Sequence, residues 1–232
     1  MRFIISGDFE QLDPVEDSWR GDYKNSAALF ELCSGNRLQL TKNRRSDSRL
    51  FELSKKAESV KICDFPITEK TYLNIAYKHE TRMRVNEECI KRFLKEEVDE
   101  EDLKLFLPKD AKNPKTQDVT LTIGMPVVCH TTRNDKKQKS KSNGFLNSEI
   151  FEVQRIEEDT IILVEGDREI VIKHNEFHKY FYVGFCITVH TSQGETFTQK
   201  YTIYDWNFFH FSKKAKYVAL SRATSYENIQ IA

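Results

Sequence analysis

His190, Thr191, Ser192, Gln193 and Gly194 follow one another directly inside the stretch TVHTSQGET, Thr188 to Thr196. Hydroxyls, an amide and a glycine in succession suit recognition of a phosphate, because glycine lets the backbone approach an oxyanion closely. The residues before them, from Tyr182, are apolar, β-branched and aromatic, as in strands of parallel sheets buried on both faces. Ligands of open α/β sheets bind beyond the carboxyl ends of such strands. The same pattern also fits an ordinary strand-to-loop junction, so these residues alone leave both readings open. A second candidate is the run Lys136, Lys137, Lys139 and Lys141 beside Asn143-Gly144, either a phosphate contact or a solvated loop tip. Metal chemistry has little support. The five cysteines (Cys33, Cys63, Cys89, Cys129, Cys186) are scattered, and His174 and His178 lack a third ligand at a matching spacing. Reduced thiols in an intracellular protein are the expectation.

The elements that must position these groups fall into two textures. Phe3-Ile4-Ile5 reads as a strand, Ser26 to Leu32 as a helix stopped by Gly35, and Arg37 to Thr41 as a strand of alternating type. Ser48 to Val60 carries a helical stripe, Thr71 to Tyr77 is a strand, and Glu80 to Glu97 is the strongest helix. The acidic run Glu96 to Asp102 reads as a solvated helix end, and Pro108 to Asp118 as a linker. Short strands then follow at Val127-Val128, Glu149 to Val153, Thr160 to Val164 and Glu169 to Ile172, split by turns, the pattern of a small antiparallel barrel. Helix–strand alternation resumes at Tyr182, with a strand at Tyr201 to Asp205, a helix at Ser212 to Arg222 and a strand at Ile229 to Ala232. With 232 residues, 39% hydrophobic and 31% charged, the chain can bury a core. Its net charge of zero announces no global basic field, and its apolar runs are too short to span a bilayer, so no membrane partner is expected.

Four segments, in order, resemble superfamily 1 helicases. GDFEQLDPV (Gly7 to Val15) is similar to their motif III, LTKNRRSD (Leu40 to Asp47) to motif IV, TVHTSQGET to motif V and YVALSRATS (Tyr217 to Ser225) to motif VI. The resemblance covers nearly the whole chain, and the matching branch holds RecD-like and petite-integration-frequency helicases, which often place a small barrel between motifs IV and V. It implies an α/β fold: a RecA-like, P-loop NTPase-type second lobe with a parallel sheet and an inserted Src-homology-3-like barrel. The implied boundaries are 1–36 for a remnant of the first lobe, 37–124 and 185–232 for the second lobe, and 125–184 for the barrel. It further implies that Arg45 and Arg222 stabilise charge on the γ-phosphate of ATP, with Arg44 competing for the first role. An arginine fork suits phosphate. Gln11 would link nucleotide to nucleic acid, Gln193 and Gly194 would sit between the two, and Asp8 would hold the turn. Thr81, His190, Thr191, Ser192, Lys137 and Lys139 are the expected contacts to a single DNA strand, with RNA open.

The departures are as informative. No glycine is followed by lysine, so the phosphate loop is absent. The metal-holding Asp-Glu pair is absent before motif III; Asp99-Glu100 imitates it after that motif, in a charged helix end. The expectation is therefore the C-terminal part of an ATP-dependent translocase, 5′ to 3′ by branch resemblance, needing an N-terminal ATP-binding lobe before ATP and Mg²⁺ can be used. The alternative is a non-enzymatic nucleic-acid-binding or regulatory protein derived from half a helicase.

Overall fold

Among the described elements, the helices Ser48–Lys55 and Lys213–Leu220 start on side chains that accept from the backbone of their first turn, Asp47 from Leu50 and Ser212 from Ala215. The computed structural model describes residues 5–12, 22–40, 42–99, 101–133 and 144–232. The first helix, α1 (Ala27–Leu32), buries none of its residues, and Phe30 and Leu32 stay exposed. Helix α2 (Ser48–Lys55) starts on Asp47, whose carboxylate accepts from the Leu50 amide at 2.8 Å. Its apolar stripe buries Leu50 completely. Strand β1 (Asn74–Ala76) leads into α3 (His79–Glu96), the longest element.

After α3 come β2 (Leu105–Leu107) and β3 (Val119–Leu121), an antiparallel pair. The chain then makes β4 (Pro126–Cys129), β5 (Ile150–Ile156), β6 (Thr160–Glu165), β7 (Arg168–Lys173), the short helix α4 (Phe177–Tyr180) and β8 (Phe181–Val183). These five strands form one antiparallel sheet in the order β7-β6-β5-β4-β8, with a register shift between Val153 and Arg155. The pairings among the described residues place β7 and β8 on its two edges.

Strands β9 (Cys186–Thr188), β10 (Tyr201–Ile203) and β11 (Ile229–Ile231) return to β1, with α5 (Lys213–Leu220) crossing between the last two. The sheet order is β11-β10-β1-β9, and every pair is parallel. All twelve positions are buried, as expected for parallel strands covered on both faces. One core joins this sheet to α2 and α5 through Leu50, Ile75, Ile187, Ile203, Trp206 and Val218. A second joins α3 to the hairpin and the antiparallel sheet through Val85, Ile90, Leu121, Phe151, Leu163 and Phe181.

Several expectations are corrected. The alternating run Arg37 to Thr41 is no strand over its described residues, and Leu38 and Leu40 are each 97% exposed. Alternation alone gives a strand nothing to pair with, and among the described residues no neighbour takes up its backbone. Leu40 is therefore not part of the parallel sheet. The segment 108–118 is not a linker but the loop of the β2–β3 hairpin, closed by the Lys109 amide donating to Asp118 at 2.8 Å. The helix expected over Ser48 to Val60 stops at Lys55 and continues as a 3-10 turn, Ala57–Ser59. Of the strand expected at Phe3 to Ile5, only Ile5 is described, and it is exposed.

Candidate functional site

The loop after β9 is built on strand positions that α3 clamps. Asn86 donates to the Cys186 carbonyl at 3.0 Å and accepts from the Cys186 amide at 2.8 Å. Beyond Thr188 the chain folds tightly: the Ser192 amide donates to Thr188 O at 2.9 Å, and Gln193 N to His190 O at 3.2 Å. Gly194 has φ +105°, with open space where a Cβ would stand. Backbone angle, not crowding, requires the glycine there.

Three distant segments meet at this loop. The Gln193 amide donates to Gln11 Oε1 at 3.1 Å, Gln11 Nε2 donates to Asp8 Oδ2 at 3.2 Å, and the Tyr217 hydroxyl donates to the same oxygen at 3.2 Å. Asp8 also accepts from the Glu10 amide at 3.0 Å, so it holds its own turn as well. Burial, and then Asp8, push the Tyr217 phenol up. Tyr217 is a site residue with no role assigned from sequence; its place at the head of YVALSRATS was its only signal.

The arginines are less alike than the sequence implies. Arg45 is exposed, with Nη1 3.4 Å from the Ser221 carbonyl. Asp47, two residues on, ties this segment down by accepting from the Tyr226 amide at 2.6 Å, while its own amide donates to Thr224 O. Arg222 is 1% exposed. Its Nε donates to Val218 O at 2.9 Å, Nη1 to Ser192 O at 3.3 Å and Glu195 O at 3.1 Å, and Nη2 to Ser221 Oγ at 2.9 Å. Burial, and then neighbouring Arg45, lower its proton affinity. Arg44 is exposed.

Two expected strand contacts face inward. Ser192 is fully buried and its hydroxyl donates to Val189 O at 2.8 Å; Thr81 is 7% exposed and its hydroxyl donates to Asp205 at 2.8 Å. Both hydroxyls donate within the fold. Asp205, at φ +64°, also accepts from the Tyr77 and Lys78 amides at 3.1 and 2.9 Å, so it caps the start of α3. His190 is exposed, while Thr191 is half-buried, sharing its hydroxyl with Thr188 at 2.9 Å and Tyr182 at 3.4 Å. Lys137 and Lys139 lie outside the described residues.

For nucleotide, the residues present fit one end only: an exposed Arg45 beside a buried, carbonyl-bound Arg222. Among the described residues no group of three or more histidines, cysteines or acids comes together to hold a metal ion. No described helix is long and apolar enough to cross a membrane.

No family model matches the sequence, and no curated protein matches it. Solved structures do. A Pif1 helicase from Bacteroides in complex with ADP-AlF3 and ssDNA has a TM-score of 0.60, with 18% identity over 97% of this chain and 60% of that one. Bacteroides Pif1 bound to ssDNA gives 0.58, with 19% identity over 84% of this chain and 51% of that one. Pif1 helicase from Candida albicans gives 0.55, with 16% identity over 97% of this chain and 63% of that one. The chain thus spans about half to three-fifths of the solved structures it matches, and it shares with them a RecA-like, mixed α/β fold.

Proposed function

We propose that this chain is the second-lobe half of an ATP-dependent superfamily 1 DNA helicase. Its loop after β9 tracks a single strand, and Arg45 is offered to the γ-phosphate of ATP held by a phosphate loop on another lobe. The observation that carries this reading is the hydrogen-bonded run Gln193–Gln11–Asp8–Tyr217, which joins three of the four helicase-like segments. Such a run couples a nucleotide edge to a strand edge without a packing reason of its own. The ssDNA and ADP-AlF3 of the Bacteroides structures are consistent with both ligands. The antiparallel sheet would be the barrel-like insert of this lobe, with boundaries near 125 and 184, and 5′ to 3′ polarity would follow the RecD-like branch. Magnesium would be held by the other lobe.

Positioning and fixed electrostatics carry most of phosphoryl transfer, so one arginine without the phosphate loop and metal supplies little. The expected result is background phosphate release from this chain alone with saturating single-stranded DNA and magnesium, and turnover when a lobe carrying the phosphate loop is joined to it. The strand itself should bind with dissociation constants of about 10⁻⁴ to 10⁻⁶ M at physiological salt, weakening as salt rises. Nanomolar, salt-insensitive binding, with no turnover after joining, would instead establish a non-enzymatic binding module, the reading favoured by the burial of Arg222.

A further inference from the structure

Arg82 and Arg222 are both buried arginines, each 1% exposed, yet only one is explained by the fold. Arg222 has a partner at every nitrogen. Arg82 donates from Nη2 to the Lys115 carbonyl at 2.7 Å and lies over the Tyr182 ring, 4.2 Å from its centre. Its Nε and Nη1 are buried with no partner, which leaves three N–H groups unsatisfied. A buried charge is strongly unfavourable unless it is paired and hydrogen-bonded. Tyr182 and one carbonyl do not neutralise it.

The surroundings deepen the imbalance. His79, one turn earlier on α3, lies within electrostatic reach of Arg82, Lys115 and His190. His130 stacks on the same tyrosine, its ring nearly parallel to Tyr182 with centres 5.8 Å apart. The Thr191 hydroxyl, from the loop after β9, meets the Tyr182 hydroxyl at 3.4 Å. His79, Lys115 and His190 are all exposed, so the group runs from the surface inward to Arg82. It offers donors and cations from four segments: α3, the hairpin loop, the antiparallel sheet and the loop after β9. No ion pair to Arg82 exists among the described residues.

We propose that Arg82 is the floor of a phosphate-binding subsite, walled by His79, Lys115 and His190, that takes one phosphodiester of the bound strand. This rests on the strand-binding reading above, because the strand is what brings a phosphate past the loop after β9. Phosphate oxyanions supply what the site lacks: several acceptor oxygens and a negative charge that arginine bonds with charge assistance. An arginine kept unpaired in the free protein is a stability sacrifice that a ligand recovers, as in other functional sites.

Two variants test it, Arg82→Met, which keeps the stem and removes the charge, and Lys115→Ala at an exposed position. Binding of a labelled oligothymidylate is measured from 50 to 200 mM salt. Each variant should weaken binding and lower the slope of log affinity against log salt by about 0.7, the share of one single-strand phosphate. Arg82→Met should also melt at the same temperature as the parent or higher without ligand, and millimolar inorganic phosphate should raise the parent's Tm but not the variant's. If the strand binds with the same slope in parent and both variants, the subsite is wrong while the strand-binding reading stands. If no strand binds but phosphate still stabilises only the parent, a free phosphate anion is the ligand, and the strand assignment falls. A large drop in Tm for Arg82→Met, with the Lys115→Ala slope unchanged, would make Arg82 a structural residue and overturn the proposal.

Discussion

Removing Arg222 tests stability before it tests chemistry. Its guanidinium is bonded to the Val218, Ser192 and Glu195 carbonyls and to the Ser221 hydroxyl, inside the protein. Arg222→Ala would leave those acceptors unpaired around a cavity, so a loss of about 3–5 kcal/mol is expected, the range for breaking a buried charged network. Arg45 is exposed, with one long contact to Ser221, so Arg45→Ala should stay within about 0.5 kcal/mol of the parent. Urea midpoints of the two variants check this; equal midpoints would mean that Arg222 is not held as described. It follows that Arg45→Ala is the variant whose activity, in a joined two-lobe protein, reports on the nucleotide. The sequence identified both arginines through their motifs, but their difference in burial was not legible. It depends on Ser192 and Glu195, residues that reach Arg222 only once the loop after β9 meets the end of α5. The inward placement of the Ser192 and Thr81 hydroxyls was not legible for the same reason, since a hydroxyl on the surface of a loop and a hydroxyl tying that loop look alike in sequence. Asp205 was missed because the helix it caps begins at His79, on another strand's loop.

Helix α3 is the element on which both halves of the fold depend. It buries Val85, Cys89 and Ile90 in the core of the antiparallel sheet, while Asn86 fixes β9 of the parallel one. Its start has no cap from its own Lys78 side chain. Asp205 supplies that function from beyond β10, through the Tyr77 and Lys78 amides and the Thr81 hydroxyl. Asp205→Ala should therefore cost about 1–2 kcal/mol, as for loss of a helix cap, read as a lower Tm with unchanged secondary structure at low temperature. Thr81→Ala should give a smaller shift in the same direction, because the two amide bonds remain. A neutral Asp205→Ala would show that α3 is held by burial alone. The parallel strands and α3 itself were legible as apolar runs and a broad helical stripe. The β2–β3 hairpin was not, because Leu105–Leu107 follows a charged run and a loop rich in lysine and proline hid the return strand. The exposed Leu38 and Leu40 show the converse limit: a pattern that suits a strand forms none where, among the described residues, no neighbour pairs with it.

The chain as a whole buries several groups in their uncharged forms, and that sets a pH window for its stability. Burial lowers the proton affinity of His79, His130 and His178, with Arg82 and Lys115 adding to the effect on the first two. Above about pH 6.5, the ordinary histidine value, these rings are neutral both folded and unfolded, so they contribute nothing. Below it the unfolded chain takes up protons that the fold resists, and stability falls by at most about 1.4 kcal/mol per pH unit for each resisted proton. Glu195 works in the opposite sense: burial raises its carboxyl, so the folded state holds that proton more readily and gains as pH falls towards the carboxylate range. One half-buried carboxyl does not offset three imidazoles, and its window lies lower. At the alkaline end the Cys89 and Cys129 thiols are each pushed up to about 11 by burial. The unfolded chain loses those protons first, and stability falls again above the ordinary thiol value of about 8.5. Urea midpoints should therefore be highest near pH 7 to 8 and drop by pH 5 and by pH 10. Replacing His130 and His178 together with glutamine should flatten the acid limb while leaving the alkaline one in place. An acid limb that is flat in the parent, or unchanged in the double variant, would mean that these rings are protonated inside the fold and that the donors facing Arg82 carry charge even in the free protein.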